Sequence, residues 1–222
     1  MKSRKSRCLN FRRSAVPGAA GLAARRCSDI MPLMQSPAAM LWRRLDLAGH
    51  DACRLERHGD AWQLDGAAVF RQADGRVAQL HYRVRCDRAW HAQWGTVRGW
   101  LGTAAVDLNV AHNAKGIWTL NDVPVPDVAH CVDLDLGFTP ATNLIQIRRL
   151  NLALGESAEA PAAWLDLNDL KEGGLSLLGQ HYERRGDTGY GYKAERFGYD
   201  ALLDVTADGF VRDYPGLWLA EG

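Results

Sequence analysis

From Leu41 onward, apolar and polar residues alternate with a period of two. In "RVAQLHYRVRC" the residues Leu80, Tyr82, Val84 and Cys86 share one face, and Gln79, His81, Arg83 and Arg85 the other. "AAVDLNVAHN" sets Val106, Leu108 and Val110 against Asp107, Asn109 and Ala111, and "LNLALG", "AWLDLN" and "ALLDV" repeat the habit. Turn signals separate the runs at Gly59-Asp60, Asp74-Gly75, Lys115-Gly116, Asn121-Asp122, Gly173-Gly174 and Asp208-Gly209. Asp65-Gly66 fits either a hairpin or a bulge inside one long strand. The pattern predicts ten or more strands joined by short connections. A meander of that length curls or closes to dispose of its edges. The expected fold is therefore all-β: a single strongly curved antiparallel sheet, a barrel or half-barrel with a cavity, over residues 41–222. Helix signals are few. One turn is expected near Thr139–Leu144, with Thr139 as cap and Pro140 at the first helical position, and another in "DLNDLKEGG".

The stretch from Cys131 to Leu150, "CVDLDLGFTPATNLIQIRRL", reads as two strands about a Thr-Pro-Ala-Thr-Asn corner. Val132, Leu134 and Leu136 lie on one face, and Asp133 and Asp135 on the other. On a one-sided sheet those aspartates face solvent; in a wide barrel they line the lumen, where they would bind sugar hydroxyls or act as acid and base. Strand parity groups Arg148 with Leu150, Leu152 and Leu154, and Arg149 with Asn151. A charge on an apolar row needs a partner, and Asp133 or Asp135 is the nearest acid across the corner.

Composition changes this picture mainly at the amino end. Residues 1–40 carry eight Lys and Arg against one acid, Asp29, a balance of +7; the whole chain is +1, which leaves −6 on residues 41–222. The body has no basic stripe suited to nucleic acid. All four methionines (1, 31, 34 and 40) lie in that basic, unpatterned extension. It reads as a disordered arm, as sequence upstream of a start at Met31, Met34 or Met40, or as a targeting peptide. No run approaches the length of a membrane span. Five cysteines (8, 27, 53, 86 and 131) without close pairing argue for free thiols in a reducing compartment, the cytoplasm.

No metal, nucleophile or phosphate-loop motif is present; "HCVD" at His130–Asp133 would need a distant partner to hold a metal. No cofactor and no metal is expected. Eight tryptophans are available for core packing, and a few on a concave face would stack on sugar rings. The glycine-spaced tyrosines of "GYGYKAERFGY" suit an edge strand or a mouth loop.

"YRVRCDRAW", "GIW", the Cys131–Leu150 block, "QHYER" and "GFVRDYPGLW" occur in this order over nearly all of residues 41–222. In this the chain resembles a bacterial glycolipid-binding family, once known only as a domain of unknown function. The resemblance implies a curved antiparallel fold like that of envelope lipoprotein carriers, with a cavity for a lipid-like ligand. The expected function is non-enzymatic binding of a glycolipid or other amphipathic small molecule. The polar head would meet Asp133, Asp135, Asn143, Arg148, Arg149 and Tyr182, with Trp90 offering a stacking face. The rival expectations are an enzyme using Asp133 and Asp135 on a sugar or lipid conjugate, and a protein-interaction scaffold whose corner motif is structural.

Overall fold

The computed structural model describes residues 38–167 and 174–222. The first six strands are β1 (Ala38–Arg44), β2 (Gly49–His58), β3 (Ala61–Arg71), β4 (Val77–Cys86), β5 (Ala92–Leu101) and β6 (Ala104–His112). Two short strands follow, β7 (Trp118–Leu120) and β8 (Val123–Pro124). Next come β9 (Asp133–Leu136), the helix α1 (Asn143–Leu150), β10 (Ser157–Glu159), β11 (Ala162–Leu165) and β12 (Leu175–Leu178). The chain finishes with β13 (His181–Arg184), β14 (Gly189–Ala194), β15 (Tyr199–Val205), β16 (Val211–Tyr214) and β17 (Trp218–Ala220).

Fourteen strands form one antiparallel sheet, in the order β10-β13-β14-β15-β16-β17-β1-β2-β3-β4-β5-β6-β7-β8. The first and last described strands, β1 and β17, are neighbours near its middle, so the sheet consists of two meanders joined by the chain ends. Its order runs from β10 at one edge to β8 at the other. The all-β reading holds, and the alternation that predicted it is visible in β6, where Val106, Leu108 and Val110 are buried between exposed neighbours. Asn121 and Asp122 both take positive φ (47° and 67°), the backbone that a two-residue hairpin between β7 and β8 requires. Asp65-Gly66 is not a turn. β3 runs through it with unbroken register to both neighbours, and Gly66 is opposite Tyr82, whose ring occupies the space a Cβ would need.

Four expectations need correction. First, β9, β11 and β12 form a second, three-stranded sheet in which β9 and β11 are parallel. A period of two marks strands but not the partner they choose. Second, the run after the Thr-Pro corner is helical rather than extended. Leu144, Ile147 and Leu150 recur at the spacing of a helical stripe as readily as alternate residues suit a strand, and Asn151, with φ 43°, ends the helix in a left-handed turn. Third, both faces of β9 are buried, so Asp133 and Asp135 do not face solvent. Leu134 packs on the inner face of the large sheet, where Gly95 leaves room for it. Fourth, Ala38–Met40, read as part of the extension, pair with Leu55, Arg54 and Cys53 in β1. Residues 1–37 lie outside the described residues, as does most of the turn expected in "DLNDLKEGG" and the Gly173 half of its glycine pair.

Helix α1 joins two hydrophobic clusters. Leu144 and Ile145 belong to the larger one, with Trp42, Leu80, Tyr82 and Leu134. Ile147 belongs to the smaller one, with Trp164, Tyr182, Tyr192 and Leu203. Cys53, Cys86 and Cys131 are free and buried. Among the described residues no helix is long and apolar enough to cross a membrane.

Candidate functional site

The acidic face of β9 lies against α1, and each aspartate takes its partner from there. Asp133, with a side chain wholly shielded from solvent, accepts Nε and Nη2 of Arg149 at 2.7 and 2.6 Å. Asp135 accepts the Thr142 hydroxyl at 2.9 Å on one oxygen and the Gln180 amide at 2.5 Å on the other. Thr142 in turn accepts the Leu136 amide at 3.2 Å, which ties the corner back onto the strand. Gln180 also donates to the Tyr192 hydroxyl at 3.1 Å, and Asn143 donates to the Tyr182 hydroxyl at 2.8 Å. Strand, helix and the β13–β14 hairpin are thus tied together by three neighbouring sets of polar contacts under aromatic cover.

A third carboxyl lies on the same corner. Asp51 of β2 is fully buried and accepts the Tyr82 hydroxyl at 2.9 Å and the Thr139 hydroxyl. The sequence carried a signal for it: Asp51 shares parity with Cys53 and Leu55 on the buried face of β2. An acid in an apolar row needs donors, and a buried tyrosine needs an acceptor.

Burial governs the protonation of all three. It pushes Asp51 up to about 7 and Asp135 up to about 6, against the opposing hydrogen bonds from Thr139 and Tyr82 and from Thr142 and Gln180. Asp133 is also raised by burial, and the Arg149 guanidinium pulls the other way. Some buried polar atoms nearby are unsatisfied: neither amide atom of Gln146 on α1, nor Oε1 of Gln180, has a hydrogen-bond partner among the described residues.

Beside this network opens a cavity of about 460 Å³. Its polar lining includes Arg44, Gln72, Asp135, Thr139, Asn143 and Asp166. Trp164, Phe197, Tyr199, Tyr214 and Trp218 form much of the aromatic wall, and Tyr192 joins wall to network. Phe197 is half exposed in the 3-10 turn Glu195–Phe197 and meets Trp164 edge-on at 5.3 Å between ring centroids.

The expected site residues divide three ways. Asp135 and Asn143 line the cavity. Asp133, Arg149 and Tyr182 stand behind them in the network and do not line it, so Asp133 and Asp135 do not face each other across it as an acid–base pair would. Arg148 and Trp90 lie apart. The Arg148 guanidinium sits 5.3 Å from the Trp90 ring centroid, and Trp90 stacks on Trp62 at 4.8 Å. The expected Arg148–aspartate pair is therefore replaced by Arg149–Asp133, because a helix turns successive residues by about 100° where a strand alternates them. Sequence reasoning missed Asp51 and Gln180; it read Thr139 only as a helix cap, Tyr192 as part of an edge strand or mouth loop, and Trp164 only as one of eight tryptophans available for packing or stacking. Among the described residues no three His, Cys, Asp or Glu side chains converge on a metal position.

A family model described as "Putative glycolipid-binding" matches residues 39–220. The crystal structure of a DUF1089 family protein from Pseudomonas aeruginosa is similar in fold, with a TM-score of 0.67 and 26% identity over 93% of this chain and 99% of that one. No curated protein matches. The cavity and its polar surroundings thus lie wholly inside the matched segment, and the chain belongs to the family so described.

Proposed function

We propose that the protein binds an amphipathic small molecule, a glycolipid, in the cavity beside Asp135, and that it does so without catalysing a reaction. One observation carries the reading: a cavity of about 460 Å³ with an aromatic wall and a polar floor that includes Asp135, Thr139 and Asn143. That volume is in the range of small-molecule sites, and the division of wall and floor suits a ligand with an apolar tail and a hydroxyl-rich head. Indole and phenol rings offer flat apolar area to a sugar face or an acyl chain. The curved-barrel lumen of the expected fold is not required, since a cleft between the large sheet and the β9–β11–β12 sheet provides the enclosure. The family's description as glycolipid-binding supports the same ligand class. Buried free thiols at Cys53, Cys86 and Cys131 fit residence in the cytoplasm.

Native mass spectrometry of the purified full chain tests this. A co-purifying adduct of lipid mass is expected, and Phe197→Ala, at a half-exposed residue of the cavity wall, should lose most of it while melting close to the parent. An adduct that survives Phe197→Ala unchanged would move the site elsewhere. If no adduct forms even after incubation with alkyl glycosides, the binding function fails.

A further inference from the structure

The turn between β14 and β15 reaches from one sheet to the other. Ala194 pairs with Tyr199, and residues 195–198 between them form the hairpin tip, closed by the Gly198 amide on the Glu195 carbonyl at 2.9 Å. Both strands belong to the large sheet, yet the arginine of the tip is held by the small one. The Arg196 guanidinium lies over Trp164 of β11, 4.7 Å from the ring centroid, and 5.9 Å from that of Phe197. Its Nη1 donates to the Ser176 hydroxyl at 2.9 Å and to the Leu177 carbonyl at 3.4 Å, both on β12. Trp164 and Ser176 are cross-strand partners, so one side chain grips a neighbouring pair on the small sheet.

This crossing bounds the cavity. Trp164 and Phe197 both line it, as do Ala194 and Tyr199 at the two roots of the tip, whereas Arg196 and Ser176 do not. The two rings differ in exposure: Trp164 is 7% exposed and Phe197 54%. A side chain that is half in water and also part of the wall marks a place where the cavity meets solvent.

The tip is also the part of this wall that moves at least cost. None of the residues Glu195–Phe197 is buried, so no packed core fixes them. The pairing of β14 with β15 ends at Ala194 and Tyr199, and lifting the tip leaves that ladder intact. What must break is the grip of Arg196 and the edge-on contact of Phe197 with Trp164. A guanidinium stacked at the surface and an exposed hydrogen bond are each weak, and segments with few buried contacts open locally. Parting β11 from β12 or β14 from β15 would instead sacrifice backbone hydrogen bonds along a strand.

We infer that the β14–β15 tip is the gate of the cavity and that Arg196 is the positioning residue that latches it to β11 and β12. The inference rests on the amphipath-binding reading and adds to it an entry route and the residue that sets its rate. With the latch made, Phe197 stands against Trp164 and closes this side of the wall. With it broken, the tip carries Phe197 away and opens a path toward the polar floor at Asp135 and Asn143.

Dodecyl β-D-glucoside, kept below its micelle concentration, probes the gate in the full chain. Calorimetry gives the affinity, NMR exchange measurements on the ligand resonances give the dissociation rate, and the two together give the association rate. Arg196→Ala should speed dissociation by about tenfold or more and association by about threefold or more, because both directions pass the same gate. Ser176→Ala removes one acceptor of the latch and should speed both by about twofold; if Arg196→Ala does not fold, this variant carries the test. Arg196→Lys keeps the charge without the flat stacking fork and should fall between the parent and Arg196→Ala. A substitution that only weakens a wall acts mainly on dissociation. Association that is unchanged or slower in Arg196→Ala would therefore overturn the gate and leave amphipath binding standing. If the parent protein binds no glucoside, the binding function falls and the gate falls with it.

Discussion

Replacing Arg149 by alanine removes both donors from a carboxylate with no solvent exposure. Asp133 accepts Nε and Nη2 at 2.7 and 2.6 Å, and the Arg149 side chain is itself only 17% exposed. Breaking a buried, hydrogen-bonded pair by removing one partner costs about 3–5 kcal/mol, because the remaining charge keeps its desolvation penalty and loses its compensation. Arg148→Ala removes a guanidinium from an indole face at 5.3 Å on an exposed side chain, which is worth about 0.5–1 kcal/mol. Urea melts of the two variants at neutral pH should therefore differ by at least about 2 kcal/mol, with Arg149→Ala the weaker. Arg149→Lys restores the charge without the fork and should lose about 1–2 kcal/mol.

Protonation supplies an internal check. Without Arg149, only the attraction of His91 is left to oppose burial in setting the Asp133 proton affinity. The folded variant would then bind a proton that the unfolded chain releases, and its deficit should shrink as pH falls toward 5 and grow toward 8. Equal small losses from Arg148→Ala and Arg149→Ala would refute the buried pair, and a pH-independent deficit would refute its electrostatic origin.

Three further outcomes are expected. Asp51 and Asp135 titrate near 7 and 6 when folded against an ordinary value of 3.8, so the folded state holds the protons more tightly; their contribution is full below about pH 4 and is lost as pH rises through 6 to 7. Urea midpoints should fall from about pH 5 to about pH 8, by a loss on the order of 4 kcal/mol, and a flat profile would contradict it. Gly66→Ala should destabilise by about 1–3 kcal/mol in a thermal melt, because the new methyl group enters the space of the Tyr82 ring that Asp51 holds in place; Gly66→Ala with Tyr82→Phe should recover little if the clash is with the ring rather than the hydroxyl. Cys53, Cys86 and Cys131 are buried with proton affinities pushed up, so a thiol reagent should leave these three unmodified in native protein and react with all five cysteines of the chain only after denaturation.

The large sheet was legible because its two faces differ. In β4 and β6 one set of side chains meets the core and the other meets water, and that difference is written in the sequence as alternation. The Asn121-Asp122 turn was legible for a similar reason, since few residues tolerate its backbone. β9, β11 and α1 were not legible in this way. All four residues of β9 are buried, as are all four of β11, and Asn143 to Ile147 of the helix are enclosed on every side. Where solvent touches no face, periodicity no longer separates strand from helix.

The same enclosure explains what was missed at the site. Asp133 and Asp135 were found because aspartates in a strand are conspicuous, but their surroundings were assigned by parity, and parity fails at the first helical residue. Asp51 offered a better clue, an acid in register with Cys53 and Leu55 on a strand whose alternation was otherwise regular. Its donors, Tyr82 and Thr139, stand 31 and 88 residues away, and no local pattern links them. Gln180 reaches Asp135 in the same long-range way, and Tyr192 is tied to it only through Gln180. What the three carboxyls have in common is the corner after β9. Asp133 fixes the far end of α1 through Arg149, Asp135 fixes its start through Thr142, and Asp51 fixes the Thr139 bend against the large sheet. Only Asp135 of the three also faces the cavity, so a single carboxyl is both the support of the corner and the floor of the candidate site. A substitution there should alter stability and binding together, whereas Arg149 should act on stability and the half-exposed Phe197 on binding. Measuring both quantities on all three variants separates the frame from the surface it presents to a ligand.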